Sequence, residues 1–277
     1  MRRKHRSLGE RLRLYDEVMK LRRQGLGYER IAKAIKEKYG VWLSPAMIGK
    51  WITGKHHSLG SCNKLVVAAE LAYVIGGWLG DGWLRYVRNN HRYCIGLSVR
   101  DYDFAEEWGR CLALALGRRQ PYKPYWDKYH QRWVVEGYSL LLYTLLRRSE
   151  KNLRILMPIL EKHPAEACRG FFDAEGTVDV DYYYIAASNT NPKLIELFKN
   201  LLRKIGIESK IYRCRQKEVF IDSKTGKLYH RNSKYIIILT ISREGNILRY
   251  AERVSFIVAR KRLKLMKLLG KYLKADN

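Results

Sequence analysis

Two acids that end matching runs are the residues best placed to do chemistry. Asp81 closes Val74-Ile75-Gly76-Gly77-Trp78-Leu79-Gly80-Asp81-Gly82, and Glu175 closes Cys168-Arg169-Gly170-Phe171-Phe172-Asp173-Ala174-Glu175-Gly176. Each run reads as an apolar helix with small residues four apart, Gly76 and Gly80 in one and Gly170 and Ala174 in the other, a spacing that lets two helix backbones approach along one face. Gly82 and Gly176 read as left-handed residues at which the helices stop. A carboxylate at a helix C-terminus faces the negative end of the dipole, so a cation should compensate it. If the small-residue faces meet, Asp81 and Glu175 converge together with the last helical carbonyls, those of Gly80 and Ala174. That all-oxygen set suits a hard divalent cation, Mg²⁺ or Mn²⁺, and two acids flanking an axis could hold metal against a scissile phosphate. One such run could be a core helix followed by an ordinary Asp-Gly turn; two copies with the same ending point to a site.

The elements around these runs repeat. After the first acid the spacing predicts a hairpin, Trp83 to Val87 and Tyr93 to Val99 with Asn89-Asn90 in the turn, then a helix from Asp103 to Leu116 capped by Asp101 or Asp103 and closed by Gly117. A second hairpin (122–126 and 132–137) and helices over 139–148 and 153–161 complete the half. After the second acid come a Tyr-rich strand pair over 177–187, a helix over 193–205 closed by Gly206, strands over 210–221 and 235–241 joined by a charged connection, and a helix over 244–254. A basic tail, Arg260-Lys261-Arg262-Leu263-Lys264, follows. Alternation in Tyr93 to Arg100 and in Lys210 to Lys217 predicts strands with one buried and one solvent-facing side. Ahead of the repeat, three short basic helices with Ser44-Pro45 as N-cap and first-turn proline resemble a helix-turn-helix domain, with Lys50 and neighbouring polar positions facing bases and Lys55, His56 and His57 near phosphates.

The 277 residues carry 54 Lys+Arg against 27 Asp+Glu, a formal charge of +27, which makes a polyanion the expected partner. Five scattered cysteines, Cys62 among them, without C-x-x-C spacing read as free thiols in a reducing cell, and no zinc pattern accompanies His56-His57. No apolar run is long enough to cross a membrane, and an intracellular protein, cytoplasmic or nucleoid-associated, is expected.

On Val74 to Gly82 and Cys168 to Gly176 the chain resembles the LAGLIDADG homing endonuclease family in its single-chain, two-motif form. The resemblance implies an α+β fold of two pseudo-symmetric αββαββα halves forming a DNA-binding saddle, here preceded by the small all-α helix-turn-helix domain. The expected divisions are 1–58 for that domain, 59–69 for a linker and the start of the first motif helix, 70–163 for the first half and 164–277 for the second. Asp81 and Glu175 fall on the eighth motif position, where the family carries metal-binding catalytic acids; the sixth, Leu79 and Asp173, is not a metal position. By position Arg100, and Arg260 or Lys261, resemble the family's central basic residues, while Asn189 stands where the second half would carry a counterpart of Arg100. On the saddle reading Arg85, Arg88, Arg92, Arg213, Arg215, Lys217 and Arg231 are candidates for contact with double-stranded DNA. The function implied is a metal-dependent double-strand cut in a long asymmetric site by a monomer. A non-catalytic transcription regulator and an RNA-binding intron maturase are the alternatives.

Overall fold

The computed structural model describes residues 6–56, 58, 65–90, 92–217, 219–221, 226, 228–230 and 233–275; Arg231, His57 and Cys62 lie outside them. The chain forms two compact units, Met1–Leu65 with Ser139–Leu142, and Val66–Tyr138 with Tyr143–Asn277.

The first unit is three helices, α1 (Leu8–Arg23), α2 (Tyr28–Tyr39) and α3 (Pro45–Ile52). Reciprocal bonds between Ser7 and Glu10 start α1, and the Ser44 hydroxyl accepts from Met47 N at the head of α3, where Pro45 needs no amide partner. Leu14, Val18, Ile31, Ala32, Ile35, Leu43, Ile48 and Trp51 form its core. Lys50 and Lys55 are exposed.

The second unit repeats one order of elements. Its first half runs α4 (Ala69–Asp81), β1 (Gly82–Val87), β2 (Arg92–Val99), α5 (Tyr102–Ala115), β3 (Tyr125–Asp127), β4 (Arg132–Tyr138), α6 (Leu140–Ser149, whose first three residues group with the first unit) and, after a single 3-10 turn, α7 (Met157–Leu160). The second half runs α8 (Pro164–Glu175), β5 (Gly176–Asp179), β6 (Tyr184–Asn189), α9 (Pro192–Lys204), β7 (Lys210–Arg215), β8 (Val219–Ile221), β9 (Leu228–His230), β10 (Tyr235–Ile241), α10 (Glu244–Arg253) and α11 (Ala259–Ala275). Two antiparallel four-stranded sheets result, β1-β2-β4-β3 and β5-β6-β10-β7, with the same order in each half once the small β8-β9 hairpin is set aside as an insertion. This is the α+β arrangement that the repeat of helix and hairpin signals implies.

Several local expectations are corrected. Gly82 and Gly176 are extended (φ −84° and −79°), not left-handed. Glycine is required there because a Cβ would run into the Trp78 ring or the Phe172 carbonyl, each one turn earlier. The first motif helix starts at Ala69. Strand β2 has no solvent-facing side through its middle: Cys94 to Leu97 are all buried, since β2 is a central strand and the Trp83 ring covers Gly96. The charged connection after β8 contains β9. The basic tail is the helix α11, whose Leu265 and Leu268 are buried beneath its lysines and arginines. Asp101, at the N-cap position of α5, makes no side-chain capping bond and pairs with Arg260 of α11, while Asp103 accepts from Phe104 N in the first turn of α5 and from Ala259 N of α11.

Candidate functional site

Helices α4 and α8 pack backbone to backbone. A Cβ on Gly76 would strike the Ala167 carbonyl, one on Gly170 the Tyr73 carbonyl, and one on Gly80 the Ala174 methyl at 2.5 Å and Glu175 Cγ at 3.1 Å. The small residues at four-residue spacing are therefore what brings the last turns of the two helices together. Trp108 of α5 holds α4 from the other side, its Nε1 donating to the Val74 carbonyl at 3.0 Å.

Asp81 and Glu175 end these helices, half-buried, and each begins a strand one residue later. Burial pushes the Asp81 carboxyl up, against the pull of Arg132 and Lys261, and Asp101 adds to the rise. Glu175 is pushed up to about 7, by burial first and by the charge of Asp81, with a hydrogen bond from Asn189 and the charge of Lys261 opposing. Each acid thus disfavours its own ionisation unless cationic charge arrives. Asn189 Nδ2 donates to Glu175 Oε1 at 2.7 Å, while Asn189 Oδ1 accepts from Asn191 N. The side chain at the position of a second basic group therefore orients the acid.

Lys261 is 4% exposed, and its Nζ donates to the carbonyls of Phe172 (3.1 Å), Asp173 (2.6 Å) and Ala174 (3.3 Å). It supplies the cation that the C-terminus of α8 calls for, and desolvation lowers its pKa to about 8. The Ala174 carbonyl, expected as a metal ligand, is a lysine acceptor here. Arg260 forms a two-pronged pair with Asp101 (2.7 and 2.8 Å), and Ala259 N donates to Asp103 Oδ2 at 2.6 Å. Arg100 is exposed on the bend after β2. Arg132, which donates to the Ser98 carbonyl at 3.3 Å, is the basic residue of the first half that acts on Asp81. It escaped the sequence reading because only the pairing of β2 with β4 brings it there.

Asp173 also escaped. It is 1% exposed, accepts from Ile257 N and Val258 N through Oδ1, and takes the Tyr73 hydroxyl at 2.9 Å on Oδ2. Burial raises it to about 6 against those bonds. An acid in phase with the apolar face of a helix was the available signal, since a buried carboxylate needs donors.

Strand parity sorts the proposed DNA contacts. In the first sheet Arg85 and Arg92 lie on the face with Glu136 and Tyr138, opposite the side that packs on α5; Arg85 pairs with Glu136 at 2.9 Å and Arg92 sits over Tyr138. Arg88 is exposed in the turn. Arg213 and Arg215 share the parity of Ile211 and buried Leu239, so they lie on the helix-packed side of the second sheet, with Arg213 stacked 3.8 Å from the Tyr235 ring centroid. The correction is one of register: a single-residue offset exchanges the two faces of a strand. Lys217 is exposed beyond the end of β7.

An antiparallel α+β unit built twice, with paired helices each ending on an acid, defines a two-motif protein with one shared centre. A family model described as a LAGLIDADG-like domain matches residues 163–255. The uncharacterized protein MJ0398 of Methanocaldococcus jannaschii is 30% identical over 266 residues, 95% of each chain. Among solved structures, the I-DmoI complex with DNA and Ca has a TM-score of 0.49 at 16% identity, covering 72% of this chain and 98% of that one. Full-length DUF199/WhiA from Thermatoga maritima has a TM-score of 0.43 at 13% identity, covering 76% and 64%. The chain belongs to the LAGLIDADG family.

Proposed function

We propose that the chain is a DNA endonuclease that makes a divalent-cation-dependent double-strand cut in a long asymmetric site. The observation that carries this reading is the convergence of Asp81 and Glu175 at the ends of two helices in backbone contact, each acid half-buried with its ionisation disfavoured. Among the described residues no group of three or more His, Cys, Asp or Glu side chains could hold a metal ion. Two carboxylates and the Gly80 carbonyl still fit a hard cation such as Mg²⁺, which keeps several of its waters. Bound there, it would polarise a phosphoryl oxygen and lower the pKa of a bound water. Asp81 and Glu175 would hold it, Asn189 would orient Glu175, and Arg132 would stabilise negative charge developing on the phosphate. The three-helix unit, through Lys50 and Lys55, would lengthen the DNA contact.

The test is cleavage in Mg²⁺ of duplex DNA spanning the uninterrupted version of the locus that flanks this reading frame, with Asp81→Asn and Glu175→Gln beside the parent. A double-strand cut by the parent alone supports the reading. Binding without a cut, equal in all three, would replace it with DNA binding alone. Lys261 favours that second reading, because its ammonium already takes the carbonyls at the end of α8.

A further inference from the structure

The two sheets present chemically different open faces. On the first, Arg85 and Arg92 are exposed and Arg132 half-buried, beside exposed Tyr125. On the second, pairing aligns Thr177 with Ala186, Ala186 with Thr240 and Thr240 with Lys210, and likewise Ser188 with Ile238 and Ile238 with Tyr212. Ile236 continues this row on the same face of central strand β10, opposite the core side formed by Val178, Ile185, Ala187, Leu239 and Ile241. Thr177, Lys210 and Tyr212 are exposed, Tyr212 at 49%, and Ile236, Ile238 and Thr240 are half-buried. Lys210 is the one cationic side chain that the four strands of this sheet place on that face.

A solvent-facing sheet surface is ordinarily polar, and isoleucines in the middle of one mark a surface that meets something apolar. The occupant is constrained by two observations. Strand β5 starts at the residue after Glu175, so the face is continuous with the candidate metal centre. The chain carries a net +27, which selects a polyanion over another basic surface. Duplex DNA offers one apolar group on its readable edges, the C5 methyl of thymine in the major groove. Arginines of the first sheet have the forked donors that suit guanine O6 and N7; Ile236, Ile238 and the methyl of Thr240 have no donor or acceptor to offer a base and suit a methyl group.

We infer that the open face of the β5-β6-β10-β7 sheet reads thymine methyl groups in one half of the DNA site, while the first sheet reads the other half by hydrogen bonds. The inference rests on the DNA-cutting reading above and adds how one half-site is specified.

The experiment selects bound duplexes from a random-sequence pool with the full chain in EDTA, where the DNA stays intact, and then replaces thymine by uracil in each half of an enriched sequence. The difference is a single methyl group per position. Binding should weaken roughly three- to fourfold per thymine in one half, the amount expected for one buried methyl, and stay unchanged for the other. Ile238→Ser should shrink the penalty for uracil in that half, and an undiminished penalty overturns the inference. Enriched sequences that tolerate uracil equally in both halves, or that carry no thymine in either, overturn the inference and leave the DNA reading standing. A pool that yields no enriched sequence removes the DNA reading itself. The uracil comparison uses the unaltered protein, so it holds even where a substituted chain fails to fold.

Discussion

At Asp81 and Glu175 burial works against the charge that metal binding would require. Both carboxyls are raised by desolvation, so ionising them costs folding free energy as the pH climbs past the ordinary carboxylate range, and for Glu175 the cost grows up to about pH 7. Replacing either acid by its amide removes the charge and keeps the shape, and the amide oxygen of Glu175→Gln can still accept from Asn189. In EDTA at pH 8, Asp81→Asn and Glu175→Gln should therefore unfold at higher urea than the parent, Glu175→Gln by about 1–3 kcal/mol. Millimolar Mg²⁺ should raise the parent and not the variants. Variants less stable than the parent would show that the acids serve the fold and not a ligand. These two residues were legible from the sequence because their spacing repeats. Asp173, Asn189 and Arg132 were not, because their partners come from strands and segments distant along the chain, and no local pattern records them.

At the scale of elements, tight helix packing and ordinary helix propensity make opposite demands on glycine. Gly170 faces the Tyr73 carbonyl and Gly77 N of α4, backbone that cannot swing aside, whereas Gly270 in α11 has open space around it. Gly170→Ala should destabilise the chain by about 1–3 kcal/mol or more, and Gly270→Ala should stabilise it by about 0.5–1 kcal/mol. Denaturant unfolding reads both, and equal signs would contradict the backbone contact. In the three-helix unit, Lys38 of α2 donates to Glu17 of α1 at 2.9 Å and lowers its pKa; Tyr39 adds a second bond. A lowered acid contributes above its unfolded value near 4.5 and loses that contribution as the pH falls through its folded value. Hydrogen exchange of α1 and α2 amides should show easier opening below that range in the parent, and Glu17→Gln should flatten the change. Helix and hairpin order was legible because Gly117 and Gly206 end their helices and Asn89-Asn90 marks a turn. The basic run of α11 hid a helix, since its charges outnumber the buried Leu265 and Leu268. The faces of β7 were misread because alternation alone does not say which side is the core.

For the whole molecule the net charge of +27 sets the mode of association. If DNA is the partner, the logarithm of affinity should fall with the logarithm of salt at about 0.9 per phosphate neutralised, and a flat dependence measured by anisotropy would contradict it. Removing residues 1–58 should weaken binding and lower that slope without abolishing the metal-dependent cut; loss of the fold of the remaining chain would instead show that the first unit is part of the core.

Helix α11 gives the molecule an order of assembly. Its first turn binds Asp101 and Asp103, 159 and 156 residues earlier, and Lys261 binds the end of α8 nearly ninety residues earlier, while Asp173 waits for Ile257 and Val258. Loops so long close slowly and late. A chain emerging from the ribosome makes both acids well before it makes the residues that fix their surroundings, so the centre stays unfinished until α11 has been synthesised.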